Sequence, residues 1–93
     1  MTIVPRFLVQ RTFREGWLVP PSREGAQRCR EIAADNARFR VTWTHSYVSE
    51  DRSVSFCICD APSPAAVRRA AAATGLPVDR VTEVRVLDPS FHH

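Results

Sequence analysis

The sequence contains no lysine, so all 13 of its basic side chains are arginines. Together with ten acidic residues they leave a net charge of only +3, and the arginines are scattered along the chain rather than clustered. Domains that bind nucleic acid usually carry a dense basic patch on one face or along one helix. The charge pattern therefore predicts no nucleic-acid partner.

Long apolar runs are also missing. No stretch approaches the roughly 20 apolar residues of a membrane-spanning helix, and the N-terminus lacks the pattern of a secretory signal peptide. Only three cysteines are present, and Cys57 and Cys59 lie two residues apart on a predicted strand, too splayed for a normal disulfide. The missing apolar run and signal pattern predict a cytoplasmic protein with no membrane partner, and the unpaired thiols agree with a reducing, intracellular environment.

Glycine is scarce as well. The three glycines (16, 25 and 75) are isolated, so the chain has no glycine-rich loop that could hold a phosphate group. A catalytic pair of cysteine and histidine needs a third, orienting residue, and the sequence offers no evident one. An enzyme is therefore the less favoured interpretation.

Hydrophobic periodicity and capping residues predict six elements in the order β-α-β-β-α-β. The predicted elements are a strand over 6–13, a helix from the cap Ser22 to about Asn36, a two-stranded hairpin within 41–61, a helix over 65–74 and a strand over 81–87. Ser63, Pro64 and Gly75 are the start and stop signals of the second helix.

This order of elements is that of the ferredoxin-like α+β fold. Right-handed crossovers would give a four-stranded antiparallel sheet with strand order 4-1-3-2 and both helices on one face. With 93 residues, of which 44% are hydrophobic, the chain is long enough for one such domain and one core. We predict a single domain over residues 1–93, with its core at about 6–89.

The spacing of apolar and small residues assigns a buried face to each helix. The first helix is expected to bury Ala26, Cys29, Ile32 and Ala33. The second is expected to bury Val67, Ala70, Ala71 and Thr74. Cys29 is then a small core residue rather than a reactive thiol.

The hairpin at 41–61 contains one of the three histidines and two of the three cysteines. Alternation puts Trp43, His45 and Tyr47 on one face of its first strand. A four-residue loop (49–52) would place His45 opposite Phe56 on an apolar face, whereas a three-residue loop (50–52) would place it opposite Cys57. The sequence leaves both registers open.

The helices would cover only one face of the sheet. Large apolar side chains nevertheless alternate onto both sides of the first and last strands, where Phe7 opposes Leu8 and Val81 opposes Val84. A single copy would then expose an apolar sheet face to water. We therefore predict a homodimer that forms through the open sheet face.

Transition-metal binding is the sharpest functional hypothesis. The candidate ligands are His45, Cys57, Cys59, His92 and His93, with Glu83 or Asp60 as possible oxygen donors. Of these, His45, Cys57, His92 and His93 form the favoured set. Imidazole and thiolate together suit nickel, zinc or copper. The alternative is a purely structural role, in which His45 is hydrogen-bonded between aromatic neighbours and Cys57 is a small buried strand residue.

A second hypothesis is a small-molecule-binding protein or cofactor-free enzyme of the dimeric α+β barrel type. Its pocket would lie between the sheet and the helices, with His45 as an acid or base. The expected lining residues are Trp43, Tyr47, Phe7 and Phe56.

Three segments of the chain resemble a small bacterial domain family of unknown function, abundant in actinobacteria, that includes a nickel-responsive, nickel-binding protein. The segments are RFLVQRTF, TWTHSYVSEDRSV and CICDAPSPAAVRRAAAATGLPVDRVTEVRVLDP. The most specific motifs are WTHSYV at 43–48, DAPSP at 60–64 and GLPVDRVTEV at 75–84.

The resemblance implies a ferredoxin-like protomer, a homodimer and nickel as the bound ion. It carries over His45, which lies inside a matching motif, and Cys57, at a strand position that is often cysteine in such sequences. Cys59 departs from the pattern, since an aromatic residue is usual there.

Overall fold

The structure is a computed structural model that describes residues 4–14, 16 and 22–90. Its elements are β1 (Arg6–Thr12), α1 (Arg23–Ala37), β2 (Thr42–Val48), β3 (Val54–Asp60), α2 (Pro64–Thr74) and β4 (Arg80–Val84). The strands form one antiparallel sheet in the order β2-β3-β1-β4. The predicted ferredoxin-like α+β fold and its strand order, read here from the opposite edge, are confirmed.

The core lies between one face of the sheet and the two helices. Alternate residues of the central strands point to this side, so that Phe7 lies opposite Cys59 and Val9 opposite Cys57. The buried cluster consists of Phe7, Val9, Val41, Cys57, Cys59, Ala61, Ala66, Val67 and Ala70. We call this side the helix face of the sheet and the other side the open face.

Helix α1 starts where predicted. The Ser22 hydroxyl accepts a hydrogen bond from the Gly25 N–H at 3.3 Å, as an N-cap residue does. The residues that α1 buries are Gly25, Ile32 and Asn36.

The predicted stripe on α1 was wrong at two positions, since Ala26 and Ala33 are exposed and Cys29 is only half-buried. The helical period allows two buried sets that include Ile32: the predicted set with Ala26 and Ala33, and the observed set with Gly25 and Asn36. Packing selects the set that contains Gly25 and Asn36.

Helix α2 matches its prediction at both ends and along its buried face. The Ser63 hydroxyl accepts from the Ala66 N–H, and Gly75 closes the helix in the left-handed conformation with φ of 73°. The Leu76 N–H then reaches back to the Ala71 carbonyl at 3.1 Å. The buried residues are those predicted, with Ala66 added. No helix in 4–14, 16 and 22–90 is long and apolar enough to cross a membrane.

Strand β4 ends at Val84, three residues before the predicted end at Leu87. In the observed register Val84 lies opposite Arg6, and the next partner on β1 would be Pro5. Proline has no N–H to donate to a strand ladder, so the pairing stops there. Val86 and Leu87 are consequently exposed, Leu87 to 88%.

The turn between β2 and β3 is organised by one carboxylate. Asp51 accepts hydrogen bonds from the Ser53 hydroxyl at 2.7 Å, the Ser53 N–H at 3.0 Å and the Ser49 hydroxyl at 2.8 Å. These donors favour the ionised form, those of Ser53 most strongly, and they lower the pKa of Asp51 to about 2. The backbone bond from Ser49 N–H to the Val54 carbonyl, at 2.9 Å, closes the hairpin above this turn.

We predict that Gly75→Ala lowers the free energy of unfolding by about 1 kcal/mol, because a side chain strains the left-handed backbone. A Cβ at this position would meet no atom within 4 Å, so strain is the only expected cost. Urea unfolding measures the effect. Gly75→Asn should cost less than the alanine variant because asparagine tolerates this conformation better, and equal losses would contradict the explanation.

The Asp51 carboxylate should stabilise the protein in a pH-dependent way. Its pKa in the folded chain, about 2, lies below the ordinary value of 3.8, so its contribution is present above 3.8 and is lost as the pH falls toward 2. Asp51→Asn should therefore be less stable than wild type near neutral pH, with a difference that shrinks as the pH approaches 2. Urea unfolding of both proteins across this range is the measurement, and a difference independent of pH would contradict the argument.

Candidate functional site

The register of the hairpin decides which groups share a surface, and both predicted registers were wrong. Tyr47 lies opposite Phe56, and His45 lies opposite Ile58. The hydrogen bonds to Asp51 hold Ser53 in the turn, so pairing starts at Val54 rather than at Ser53. His45 is therefore on the face of Phe56 and Ile58, as the first of the two registers implied, but two residues further along β3.

A β-bulge in β2 separates Trp43 from the other aromatic residues of the strand. The pairing shifts between Trp43 and His45, which leaves Thr44 as the extra residue, and Trp43 lies opposite the buried Cys59. A bulge of one residue moves the following side chains to the other side of the sheet. The prediction that Trp43 shares a face with His45 and Tyr47 was thus wrong. The Trp43 indole packs toward the core and donates to the Ser46 hydroxyl at 2.8 Å.

On the open face His45 is exposed beside the ring of Tyr47. The two rings meet edge to face with centroids 5.3 Å apart, and Tyr47 is 65% exposed. The Thr44 hydroxyl donates to the Ile58 carbonyl at 2.9 Å and lies 3.3 Å from His45 Nδ1. Because that hydroxyl proton is already donated, the oxygen can accept a hydrogen bond from Nδ1–H, and this tautomer leaves the Nε2 lone pair available.

The same face carries a two-point ion pair between neighbouring strands. Arg6 Nε donates to Asp60 at 2.8 Å, and Arg6 Nη2 contacts the second carboxylate oxygen at 3.3 Å. The hydrogen bond and the charge of Asp60 raise the pKa of Arg6. Partly buried Leu8, Phe56 and Ile58 lie on this face as well.

On the helix face, two thiols lie next to a buried arginine. Cys57 is 4% exposed, Cys59 2% and Arg11 5%. Arg11 Nη1 donates to the Pro77 carbonyl at 2.8 Å, whereas its Nε has no hydrogen-bond partner. Burial above all, and then the neighbouring Cys57, raise the pKa of Cys59 to about 11, with the charge of Arg11 acting in the opposite direction.

A cavity of about 10 Å³ lies beside these three residues. Its other walls are Ile32, Asn36, Trp43 and Leu76. Sequence reasoning missed the burial of Arg11, although strand alternation places Arg11 on the same side as Phe7 and Val9 and was a usable signal.

The structure separates the two sequence-predicted ligands that it describes, His45 and Cys57. His45 is on the open face and Cys57 on the helix face, so the two side chains of one chain cannot share an ion. His92 and His93 lie outside the described residues. Within the described part of the chain, no group of three or more His, Cys, Asp or Glu side chains is placed to hold a metal ion.

The four rings of the alternative pocket are also divided between the two faces. Phe7 and Trp43 lie on the helix face, while Tyr47 and Phe56 lie on the open face. These residues do not line one pocket, and the cavity under the helices has room for little more than one water molecule.

Comparison with known proteins identifies a family for this chain and a solved structure with the same fold. The family model described as nickel responsive protein SCO4226-like matches residues 7–84. A crystal structure of SCO4226 from Streptomyces coelicolor A3(2) superposes with a TM-score of 0.69 at 19% identity, covering 89% of this chain and 99% of that one. At this identity the superposition shows the shared fold alone. A search of curated proteins finds no match. Because the family match spans nearly all of the sheet and both helices, the chain belongs to the SCO4226-like family of nickel responsive proteins.

Proposed function

We propose that this chain is a cytoplasmic nickel-binding protein that works as a homodimer in sensing, buffering or delivering the ion. The observation that carries the proposal is the family match over residues 7–84, because the family is described as nickel responsive. The structure contributes an exposed imidazole on a sheet face that a second copy could cover.

The described residues of a single chain do not make a complete nickel site, since no three potential donors converge. Nickel ordinarily takes four or more ligands, with imidazole a well-suited one. We propose that the remaining donors come from a second copy or from His92 and His93. For this reason we assign only one ligand, His45.

His45 is suited to the role by its surroundings. It is exposed, so binding an ion would not first require a core side chain to move. Its Nδ1 lies beside the Thr44 hydroxyl, which is itself anchored on the Ile58 carbonyl. Partners of this kind commonly fix the tautomer and ring orientation of a metal-binding histidine. Here they favour Nε2 as the atom that binds the ion.

The open face supports the dimer part of the proposal. It carries partly buried Leu8, Phe56 and Ile58 and the largely exposed ring of Tyr47. A twofold interface presents every residue twice, so packing two such faces together would bring a second His45 to the same surface.

We expect His45→Ala to weaken nickel binding at least tenfold, equivalent to about 1.4 kcal/mol. Isothermal titration of nickel into metal-free protein made without an affinity tag is the measurement. Tyr47→Phe is the matched control, because it alters the neighbouring side chain on the same face and keeps the imidazole. Unchanged affinity in His45→Ala would remove His45 from the site, and a chain ending at Ser90 would show whether His92 and His93 contribute.

We expect Tyr47→Asp to convert the dimer into a monomer, because it places a charge in the middle of the apolar contact. Sedimentation equilibrium should give about twice the chain mass of 10.5 kDa for wild type and about that mass for the variant. Ala72→Asp, on the exposed side of α2, adds the same charge away from the open face and should leave the dimer intact. A monomeric wild type would overturn this part of the proposal.

A further inference from the structure

Arg11 lines the cavity under the helices, and no acidic side chain of the described residues forms an ion pair with it. Arg11 is 5% exposed, and within the described residues its only hydrogen bond is to the Pro77 carbonyl. Its Nε–H is buried without an acceptor, and the ion pairs of the described chain involve other arginines. A buried charge without a partner is costly, so an anionic acceptor would be stabilised at this point.

Two thiols line the same cavity. Cys57 and Cys59 are at alternate positions of β3, so their side chains leave the sheet on the same side, with Cα atoms about 7 Å apart. Both are almost completely buried and both are free thiols. This separation is too large for a disulfide of normal geometry, but an ion between the two sulfurs would bridge it.

We propose that Cys57 and Cys59 bind one soft monovalent metal ion, Cu(I) or Ag(I), in a two-coordinate bis-thiolate site beside Arg11. This site lies on the helix face and uses neither His45 nor a second copy. It is therefore independent of the nickel proposal.

The balance of charge supports a monovalent ion. Without metal, two neutral thiols and one guanidinium give the site a charge of +1. When the ion binds, two S–M bonds form, both S–H bonds break, and the two protons pass to solvent. The bis-thiolate complex of a monovalent ion carries −1, which the guanidinium neutralises, and the Arg11 Nε–H gains a thiolate acceptor.

A divalent ion would fit the site less well. Its bis-thiolate complex is neutral, so the charge of Arg11 would remain unbalanced. Zinc and nickel also require further ligands, and the described residues supply no third His, Cys, Asp or Glu to this pair. Thiolates favour Cu(I), and a soft ion of this class accepts two ligands.

The size and position of the cavity also agree with a single ion. Its volume of about 10 Å³ corresponds to one water-sized occupant and excludes an organic ligand. Trp43 and Leu76 are the two lining residues that are only partly buried, whereas the other lining residues are buried.

The test is an anaerobic titration of metal-free protein with Cu(I) against a chromophoric Cu(I) chelator. We expect one tightly bound ion per chain in wild type and in Cys29→Ser, which removes the third, half-buried thiol as the matched control. Cys57→Ser and Cys59→Ser should each lose at least 100-fold in affinity, and Arg11→Gln at least tenfold. Equal affinity in either serine variant, or loss of the ion in Cys29→Ser, would overturn the assignment.

X-ray absorption on the wild-type complex provides a readout that does not depend on the folding of any variant. Two sulfur neighbours around copper support the site, whereas a third sulfur or a nitrogen neighbour contradicts it. His45→Ala should retain the Cu(I) ion, and an excess of nickel should not displace it. Loss of Cu(I) in His45→Ala, or displacement of Cu(I) by nickel, would show that the two ions share a site and would refute the independence of the two proposals.

Discussion

The antiparallel pairing of β1 with β3 is the contact on which the rest of the structure depends. It brings Phe7 opposite Cys59 and Val9 opposite Cys57, all of them almost completely buried. Burial of a large apolar side chain contributes on the order of 1.5–3 kcal/mol, so reversing the two faces of these strands would expose the core. The pairing therefore decides which side the helices cover and, by exclusion, which side stays open.

The bulge at Thr44 then gives the two faces different chemistry. It turns the partly buried Trp43 toward the core, while His45 and Tyr47 stay exposed. The open face thus presents an imidazole, a borderline donor with access to solvent, whereas the helix face encloses thiols and a guanidinium away from solvent. Borderline and soft metal ions prefer these two environments respectively. The two proposed metal sites are compatible on one small domain because the sheet keeps their ligands on opposite sides.

Family membership and geometry bear on function in different ways. The family description concerns nickel, and the described residues of one chain offer an exposed histidine without enough companions to complete a nickel site. A homodimer would address both facts at once, since it would cover the apolar open face and double the number of imidazoles on it. The same arrangement would leave the buried Cys57 and Cys59 untouched, because they lie on the other side of the sheet.

The sequence by itself determined the order of the elements, the caps Ser22, Ser63 and Gly75, and hence the fold, because capping and periodicity act over a few neighbouring residues. The sequence also identified His45 and Cys57 as candidate metal ligands. Only the tertiary structure decided the hairpin register, the bulge that separates Trp43 from His45, and the burial of a charged arginine. Each of these depends on the combined energy of contacts between residues that are far apart in the chain. A register shift of one residue moves a side chain from one face of the sheet to the other, yet it leaves the local sequence pattern unchanged.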